Sequence, residues 1–236
     1  MHAVGLTGAA AMDWPRAIIF DVDGTLAETE EWHRKAFNEA FLTHGLDWHW
    51  DRACYRDHLK VTGGKERIRH FAGERSAAID VAAIHAAKNA IYREYVAKGH
   101  IALRPGIADL VSHARKHGIR LAIATTTSRE NAFGLLERAF GGAGLFDSVV
   151  TGEDVARKKP DPEAYRLVLS ELGLPADSCL AVEDSHNGLL AASGAGIDCL
   201  LSPSQYCPVE NVTTAWRVVN SFAEMPPGRL LARDMG

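Results

Sequence analysis

Short runs of apolar, β-favouring residues alternate along this chain with stretches whose apolar residues recur every three or four positions. The first such run is 17–22, and the later ones are 120–125, 148–151, 179–184 and 198–202. Amphipathic helical patterns separate the later runs, at 107–117, 129–140, 161–172 and 186–194. Strands that alternate with helices predict an α/β fold, a Rossmann-like parallel sheet covered by helices on both faces.

The stretch 29–100 interrupts this alternation. Its apolar residues recur at helical spacing throughout, and it contains no β-favouring run. The pattern predicts helices over 29–45, 51–60, 65–74 and 76–99. We therefore expect an α-helical cap domain at 29–100, inserted through hinges at 27–29 and 99–105 into a catalytic core formed by 16–28 and 101–236. Residues 1–15 fit no element and are predicted to be a flexible N-terminal extension.

Composition and charge narrow the classes of function. The chain is 47% hydrophobic and 24% charged, as globular proteins are, and its 26 basic and 30 acidic residues give a net charge of −4. Nucleic acids and anionic membranes attract proteins with a basic excess, so we expect neither as a partner. No apolar stretch approaches the roughly 18 residues of a membrane-spanning helix. These features favour a small-molecule partner, and we expect a monomer, although no feature of the sequence determines the oligomeric state.

The cysteines indicate the compartment. The four of them, Cys54, Cys179, Cys199 and Cys207, form no CxxC pair, and Cys179 and Cys199 lie in apolar runs where buried free thiols are common. The N-terminal residues have neither the basic start nor the long apolar segment of a secretory signal. Both observations predict a cytoplasmic, reducing environment.

Acidic and polar residues follow the predicted strands at the points where they end. Asp21 and Asp23 follow the first strand, three threonines starting at Thr125 follow the second, and Glu183-Asp184 follow the fourth. Lys159 lies in the segment after the third strand. In an open parallel sheet these ends share one edge, where ligands bind. Four carboxylates at that edge would repel one another, which predicts a Mg²⁺ ion with phosphate among its ligands.

Four motifs resemble those of a known family. FDVDGTLAETE, AIATTTS, KKPDPEAY and AVEDSHNGLLAA are similar, in order and spacing, to the motifs of haloacid dehalogenase-superfamily phosphotransferases with a helical cap. Within and beside the cap, ETEEWHRKAFNEAF, TGGKERI and ALRPGIADL resemble the CbbY-type sugar-bisphosphate phosphatases. That family is associated with the Calvin cycle and removes xylulose 1,5-bisphosphate. The resemblance implies a phosphatase that acts on a phosphorylated sugar.

The resemblance also implies roles for the core residues. Asp21 would be the nucleophile that forms a phosphoaspartyl enzyme, and Asp23 would be the general acid and base. Thr125, Thr126 and Lys159 would bind the transferring phosphate. The implied Mg²⁺ ligands are Asp21, Asp23 through its carbonyl, and Asp184, with Glu183 either a fourth ligand or a residue that orients the others.

Substrate recognition is expected in and near the cap. Gly63-Gly64-Lys65 precedes a helix and can bind a second phosphate with backbone N–H groups and a cation. Glutamate and histidine side chains after the first hinge can hydrogen-bond sugar hydroxyls. The residues expected to contact the substrate are Gly24, Glu28, Thr29, His33, Gly64, Lys65, Lys88 and Thr126.

Two other functions stay open on the sequence. A phosphosugar mutase of the β-phosphoglucomutase type shares His33 and much of the cap pattern, and Thr25 after Asp-Gly only weakly favours the phosphatases. Glucose 1-phosphate with catalytic glucose 1,6-bisphosphate separates the two, because a mutase makes glucose 6-phosphate and a phosphatase releases inorganic phosphate. A catalytically inactive interaction module is the alternative from another class, and the presence of all four motifs argues against it.

Overall fold

A six-stranded parallel sheet forms the centre of the molecule. The computed structural model describes residues 14–75, 78–209 and 211–233. The strands are Ala17–Phe20 (β1), Arg120–Ala124 (β2), Ser148–Val150 (β3), Cys179–Glu183 (β4), Asp198–Leu201 (β5) and Arg217–Val218 (β6), in the order β3-β2-β1-β4-β5-β6. Phe20 pairs with Ile123 of β2 on one side and Val182 of β4 on the other. The residues after β1 therefore lie between the ends of these two strands.

The helices lie both in the stretch between β1 and β2 and between the later strands. Between β1 and β2 lie Glu30–Thr43 (α1), Arg52–His58 (α2), Gly64–Glu74 (α3), Val81–Ala97 (α4) and Ile107–Lys116 (α5). The remaining helices are Arg129–Phe140 (α6), Glu163–Leu172 (α7), His186–Gly194 (α8) and Pro227–Leu230 (α9). The predicted fold class, a Rossmann-like parallel sheet with helices and an inserted helical cap, is confirmed. The prediction missed β6 and α9, which are too short to show a periodic pattern.

Alternate residues of the strands build two hydrophobic clusters, one on each face of the sheet. Ile18 and Phe20 of β1 belong to one cluster, and Ala17 and Ile19 belong to the other. The same alternation holds in β4, because successive side chains of a strand point to opposite faces. Both faces are buried, which explains why these strands read as continuous apolar runs rather than as alternating ones.

The insert has a cluster of its own, rich in aromatic rings. Phe37, Phe41, Trp50 and Phe71 pack together there, with ring centroids of Phe37 and Trp50 at 4.8 Å. Tyr206, from the loop that follows β5, also belongs to this cluster and lies against Tyr55 at 5.7 Å. A loop of the core thus contributes a side chain to the hydrophobic centre of the cap.

Some predicted boundaries were wrong for local reasons. The helix predicted from residue 76 begins at Val81, because the Asp80 side chain accepts a hydrogen bond from the Ala83 N–H and caps it. Trp14, which the sequence places in the flexible extension, packs on Trp216 with ring centroids at 5.0 Å. The rest of that prediction, residues 1–13, lies outside the described residues. The other domain limits stay predictions.

The two connections between core and insert run side by side. Ala27 forms a β-bridge with Leu103, and the neighbouring Arg104 is buried. Arg104 donates hydrogen bonds of 2.7 Å to the carbonyls of Gly24 and Ser202 and lies 3.2 Å from Glu28. One guanidinium therefore joins the loop after β1, the first connection and the loop after β5.

The remaining structural expectations concern the membrane and the cysteines. Among the described residues, every helix is too short or too polar to span a membrane. Cys54, Cys179, Cys199 and Cys207 are all free thiols, and Cys179 and Cys199 are buried as predicted.

Gly106 offers a test of how the C-terminal segment packs on the core. Its φ is +89°, and a Cβ there would collide with the backbone of Phe222 and Ala223. We expect Gly106→Ala to lower the free energy of unfolding by about 3 kcal/mol, because backbone strain and overpacking add. Urea unfolding measures this. Gly118→Ala is the control, since Gly118 has φ +70° but open space around its Cβ position. Equal losses in both variants would show that φ alone matters.

Candidate active site

The carboxyl ends of β1, β2 and β4 meet at one end of a cavity of about 750 Å³. Asp21 and Asp23 after β1, Thr125 after β2 and Asp184 after β4 line this end. Helices α3 and α4 of the insert provide the opposite wall, which includes Lys65 and Lys88. The cavity therefore lies between the sheet edge and the cap.

A buried lysine joins the residues that follow different strands. Lys159 Nζ lies 2.7 Å from Asp21 Oδ1 and 2.6 Å from Glu183 Oε1, and it donates a 2.8 Å hydrogen bond to the Ala124 carbonyl. Burial acts to lower the pKa of Lys159, but Asp21 and Glu183 outweigh it and raise that pKa. The ammonium therefore stays charged beside the two carboxylates.

Glu183 is fully buried behind the cavity. Its Oε1 accepts hydrogen bonds from Lys159 and from the Tyr165 hydroxyl at 2.7 Å, and its Oε2 accepts one from the Asp184 N–H at 3.3 Å. Gly188 provides the room, because a Cβ there would collide with this carboxylate. These hydrogen bonds fix the orientation of the Glu183 carboxylate, and its remaining lone pairs leave it able to bind a cation or to orient the residues that do.

Three buried acids form a group that fits a divalent cation. One carboxylate oxygen each of Asp21, Glu183 and Asp184 lies within 4.8 Å of the other two. Oδ2 of Asp184 is buried and lacks a well-aligned donor among the described residues, although the nearby Ser204 hydroxyl helps to stabilise its charge. Burial and the other acids raise the pKa of Asp21 to about 7 and that of Asp184 well above its usual range. These oxygen ligands and their mutual repulsion suit Mg²⁺.

The second acid of the DxD motif has different surroundings. Asp23 Oδ1 lies 2.9 Å from His33 Nε2, and His33 Nδ1 lies 2.8 Å from Lys88 Nζ. His33 also stacks on Tyr92 at 3.9 Å, which orients its ring. Burial acts to raise the pKa of Asp23, but His33 and Lys88 outweigh it and lower that pKa below its usual range. Burial lowers the pKa of Lys88 to about 7.

The loop after β2 forms the side wall of the cavity. The Thr125 hydroxyl accepts a 3.2 Å hydrogen bond from the Thr127 N–H, so the loop turns back on itself. Gly152 permits this turn to pack, because a Cβ there would collide with the Thr126 carbonyl. Ser128 then caps α6 by accepting from the Asn131 N–H, and Thr126, Thr127 and Ser128 all line the cavity.

The cap wall is basic and begins at the start of α3. Gly64 and the exposed Lys65 line the cavity, with His85 directly beneath Gly64, where an added Cβ would lie 2.6 Å from the His85 Nε2 atom. Burial, with Lys88 and Lys65 nearby, lowers the pKa of His85 to about 3, so this ring stays neutral. Arg67 is buried and donates to the Tyr55 hydroxyl at 3.2 Å. The wall therefore suits an anionic group.

A family match agrees with this geometry. The sequence matches the family model of haloacid dehalogenase-like hydrolases over residues 15–196, which is more than half of the chain. The chain belongs to the haloacid dehalogenase-like hydrolases. The predicted family and the hydrolase class of enzyme are therefore confirmed, and the buried acids at the sheet edge belong to a hydrolase of this family.

CbbY proteins resemble almost the whole of this hydrolase. CbbY from Cereibacter sphaeroides is 51% identical over 224 residues, which cover 93% of this chain and 96% of that protein. A crystal structure of CbbY from Rhodobacter sphaeroides in complex with phosphate has a TM-score of 0.85 at 52% identity, covering 89% of this chain and 95% of the other. A CbbY mutant from the same organism, in complex with xylulose 1,5-bisphosphate, gives 0.86 at 51% identity with the same coverage.

The structure brings together most of the residues selected from the sequence of this hydrolase. The ones that line the cavity are Asp21, Asp23, His33, Gly64, Lys65, Lys88, Thr125, Thr126, Lys159 and Asp184. Gly24, Glu28, Thr29 and Glu183 do not line it. Gly24, at φ +82°, makes room for Asp184, where a Cβ would collide with the carboxylate. Glu28 pairs with Arg104, and Thr29 is buried near Asp23.

Of the glutamates expected after the first hinge, Glu30 rather than Glu28 lines the cavity of the hydrolase, and its Oε2 accepts a 2.6 Å hydrogen bond from the Tyr55 hydroxyl. Other residues that line the cavity were missed in the sequence. His85, Asn89 and Ser128 also line it. Ser128 could have been predicted from the sequence, because a serine that caps a helix just after a strand lies near the edge of the sheet where ligands bind. His85 and Asn89 lie in the middle of a helix, and only the packing of α4 brings them to the cavity.

The repulsion among the acids predicts an unusual stability effect. In the metal-free protein, the folded state keeps protons on Asp21 and Asp184 that the unfolded chain has already lost, because both folded pKa values are raised. Stability should therefore fall as pH rises from about 4 toward 7. Asp184→Asn keeps a neutral group, so with chelator near pH ~7.5 it should melt above the wild type.

Adding Mg²⁺ should reverse this order. A ligand of the folded state raises the melting temperature, and the wild type should gain more than Asp184→Asn, which has lost a ligand. Differential scanning fluorimetry with and without Mg²⁺ measures both effects. Asp109→Asn, a change at an exposed residue of α5, is the control and should follow the wild type. A wild-type melting temperature that ignores Mg²⁺ would contradict the metal site.

Proposed function

We propose that this protein is a Mg²⁺-dependent phosphatase that hydrolyses a sugar bisphosphate, with xylulose 1,5-bisphosphate as the favoured substrate, through a phosphoaspartyl intermediate. The observation that carries the proposal is the contrast between two neighbouring acids. Asp21 lies 2.7 Å from Lys159 beside Asp184, whereas Asp23 lies 2.9 Å from His33 of the cap. The binding of xylulose 1,5-bisphosphate by a CbbY of 51% identity supports the choice of substrate.

The first step transfers the phosphoryl group to Asp21. A Mg²⁺ ion held by Asp21, Asp184 and the Asp23 carbonyl, with Glu183 behind them, would offset the charge of the phosphate. An Asp21 oxygen attacks phosphorus, and the bond from phosphorus to the sugar oxygen breaks with its electron pair on that oxygen. The Lys159 ammonium stabilises the charge on the transferring group, with Thr125 and the Thr126 N–H as further donors.

Asp23 is the proton donor of the first step and the proton acceptor of the second. His33 and Lys88 keep Asp23 ionised in the free protein, and a phosphate dianion placed nearby opposes that charge and raises its proton affinity. Asp23 therefore takes up a proton from solvent when the substrate binds, and it gives this proton to the departing sugar oxygen. In the second step it takes a proton from the attacking water, whose oxygen displaces Asp21 from phosphorus. Inorganic phosphate leaves, and Asp21 returns to its starting state.

The cap wall would select the rest of the substrate. Lys65 and the backbone N–H groups near Gly64 are placed to receive a second phosphate, as the sequence predicts. Glu30, His85 and Asn89 line the same cavity and would be available to hydrogen-bond the sugar hydroxyls. The cavity of about 750 Å³ is within the usual range for small-molecule sites.

A substrate panel tests the proposal. Phosphate release should be fastest on xylulose 1,5-bisphosphate, with kcat/KM at least about tenfold above that for xylulose 5-phosphate or ribose 5-phosphate, because a monophosphate leaves the cap wall unused. Glucose 1-phosphate with glucose 1,6-bisphosphate serves as the mutase control. Formation of glucose 6-phosphate, or equal rates on mono- and bisphosphates, would contradict a sugar-bisphosphate phosphatase.

The two acids should fail in different ways. With p-nitrophenyl phosphate, whose leaving group needs no proton, Asp23→Asn should release a burst of p-nitrophenol close to one per enzyme and then turn over about 10²- to 10⁴-fold more slowly. Asp21→Asn should give neither burst nor turnover, because no phosphoenzyme forms. Rapid-quench kinetics measure the burst, and unchanged far-ultraviolet circular dichroism spectra control for folding. A burst from Asp21→Asn would exclude Asp21 as the nucleophile.

A further inference from the structure

An ion pair crosses the cavity from the core to the cap. Lys158 Nζ lies 3.1 Å from both carboxylate oxygens of Glu66. Lys158 belongs to the segment after β3, and Glu66 lies in the first turn of α3. Burial acts to raise the pKa of Glu66, but its own backbone N–H and Lys158 outweigh it and lower that pKa. The carboxylate is therefore held from two directions.

The backbone beside this pair is adapted to it. Gly63 has φ +98°, and a Cβ there would collide with Glu66 Oε2 and lie 2.7 Å from Lys158 Nζ. Any other residue would be strained at this φ, and its Cβ would make the flexible ends of both side chains shift.

The position of Lys158 in the chain connects the pair to the reaction centre. The next residue is Lys159, whose ammonium contacts Asp21, Glu183 and the Ala124 carbonyl. The segment before them is anchored by Glu163, which accepts hydrogen bonds from the N–H groups of Ala156 and Arg157 at 2.8 and 3.0 Å. Lys158 adds a contact from this segment to the cap.

We propose that Glu66 is a positioning residue for the phosphoryl transfer. By pairing with Lys158, it holds the backbone of the Lys158-Lys159 segment so that the Lys159 ammonium stays on Asp21 while the cap lies over the core. The inference rests on the proposed function only in requiring Asp21 chemistry, and it is independent of which sugar is bound. Lys65, one residue earlier, differs because its proposed role is to bind the substrate's second phosphate.

The structure provides a matched control pair. Arg93 of α4 forms an ion pair with Glu130 of α6, which also joins cap and core. Neither residue adjoins the Lys158-Lys159 segment. Removal of the Arg93–Glu130 pair shows how much kcat falls when any one contact between cap and core is lost. Removal of the Glu66–Lys158 pair should lower kcat further, because it also affects the position of Lys159.

The experiment compares Glu66→Gln, Lys158→Met, their double variant and Glu130→Gln on p-nitrophenyl phosphate and on xylulose 1,5-bisphosphate. We expect Glu66→Gln and Lys158→Met each to lower kcat about fivefold on both substrates, the size of a partly exposed ion pair, with KM for p-nitrophenyl phosphate changed less than about twofold. The double variant should lose no more than either single one, because both remove the same interaction. Glu130→Gln and Lys158→Arg should keep the wild-type kcat.

Several results would overturn the inference. One is an unchanged kcat in Glu66→Gln, and another is a loss of kcat in the double variant equal to the product of the two single losses. An equal loss of kcat in Glu130→Gln, or a loss of activity confined to the bisphosphate, would also overturn it. The last pattern is the one expected of Lys65→Ala and would make Glu66 a substrate-binding residue. Turnover of p-nitrophenyl phosphate remains measurable even if xylulose 1,5-bisphosphate is not a substrate, so the failure of either proposal is recognised separately. Melting temperatures, with Lys158→Arg as the variant that preserves the charge, control for folding.

Discussion

The contact of Lys159 with Asp21 and Glu183 is the interaction on which the rest of the site depends. Two buried carboxylates and a third, Asp184, lie together at the sheet edge, and burial without a cation would be costly for all of them. The lysine comes from the segment after β3, while the acids follow β1 and β4. The ammonium reaches them because β1 lies between β2 and β4, so Ala124, Asp21 and Glu183 end at the same level. The strand order therefore brings the acids together, and the lysine charge compensates for their burial in that arrangement.

The two acids of the DxD motif acquire different properties from their neighbours. Asp21 points toward other acids, and burial raises its pKa to about 7. Asp23 points toward His33 and Lys88 of the cap, which hold its pKa below the usual range. In the metal-free protein this order is the reverse of the one that an ionised nucleophile and a protonated acid need. A cation at Asp21 and a phosphate dianion near Asp23 would shift both pKa values toward the required order. The difference between the two acids requires the cap, because the histidine and the lysine both belong to it.

Cap and core meet through specific polar contacts as well as through packing. Tyr206 of the core enters the hydrophobic cluster of the cap, and its hydroxyl bonds to Glu31. Asn187 after β4 donates to the Thr62 hydroxyl at 3.1 Å, and Lys158 pairs with Glu66. Arg104, in the second connection, donates hydrogen bonds to the carbonyls of Gly24 and Ser202 in the core. Thr62, Asn187, Glu66 and Lys158 all line the cavity, so these contacts between cap and core also shape the substrate space.

The sequence by itself determined the elements whose signals are local. Buried strands read as apolar runs, and the residues that end them, Asp21, Thr125 and Asp184, could be assigned to one edge because parallel strands align their ends. Tertiary structure decided which side chains of the cap face that edge. Glu28 turned to Arg104 while Glu30 entered the cavity, and His85 reached it through the packing of α4. Helical periodicity identifies a buried face but not the neighbour that covers it, because that depends on contacts between residues far apart in the chain.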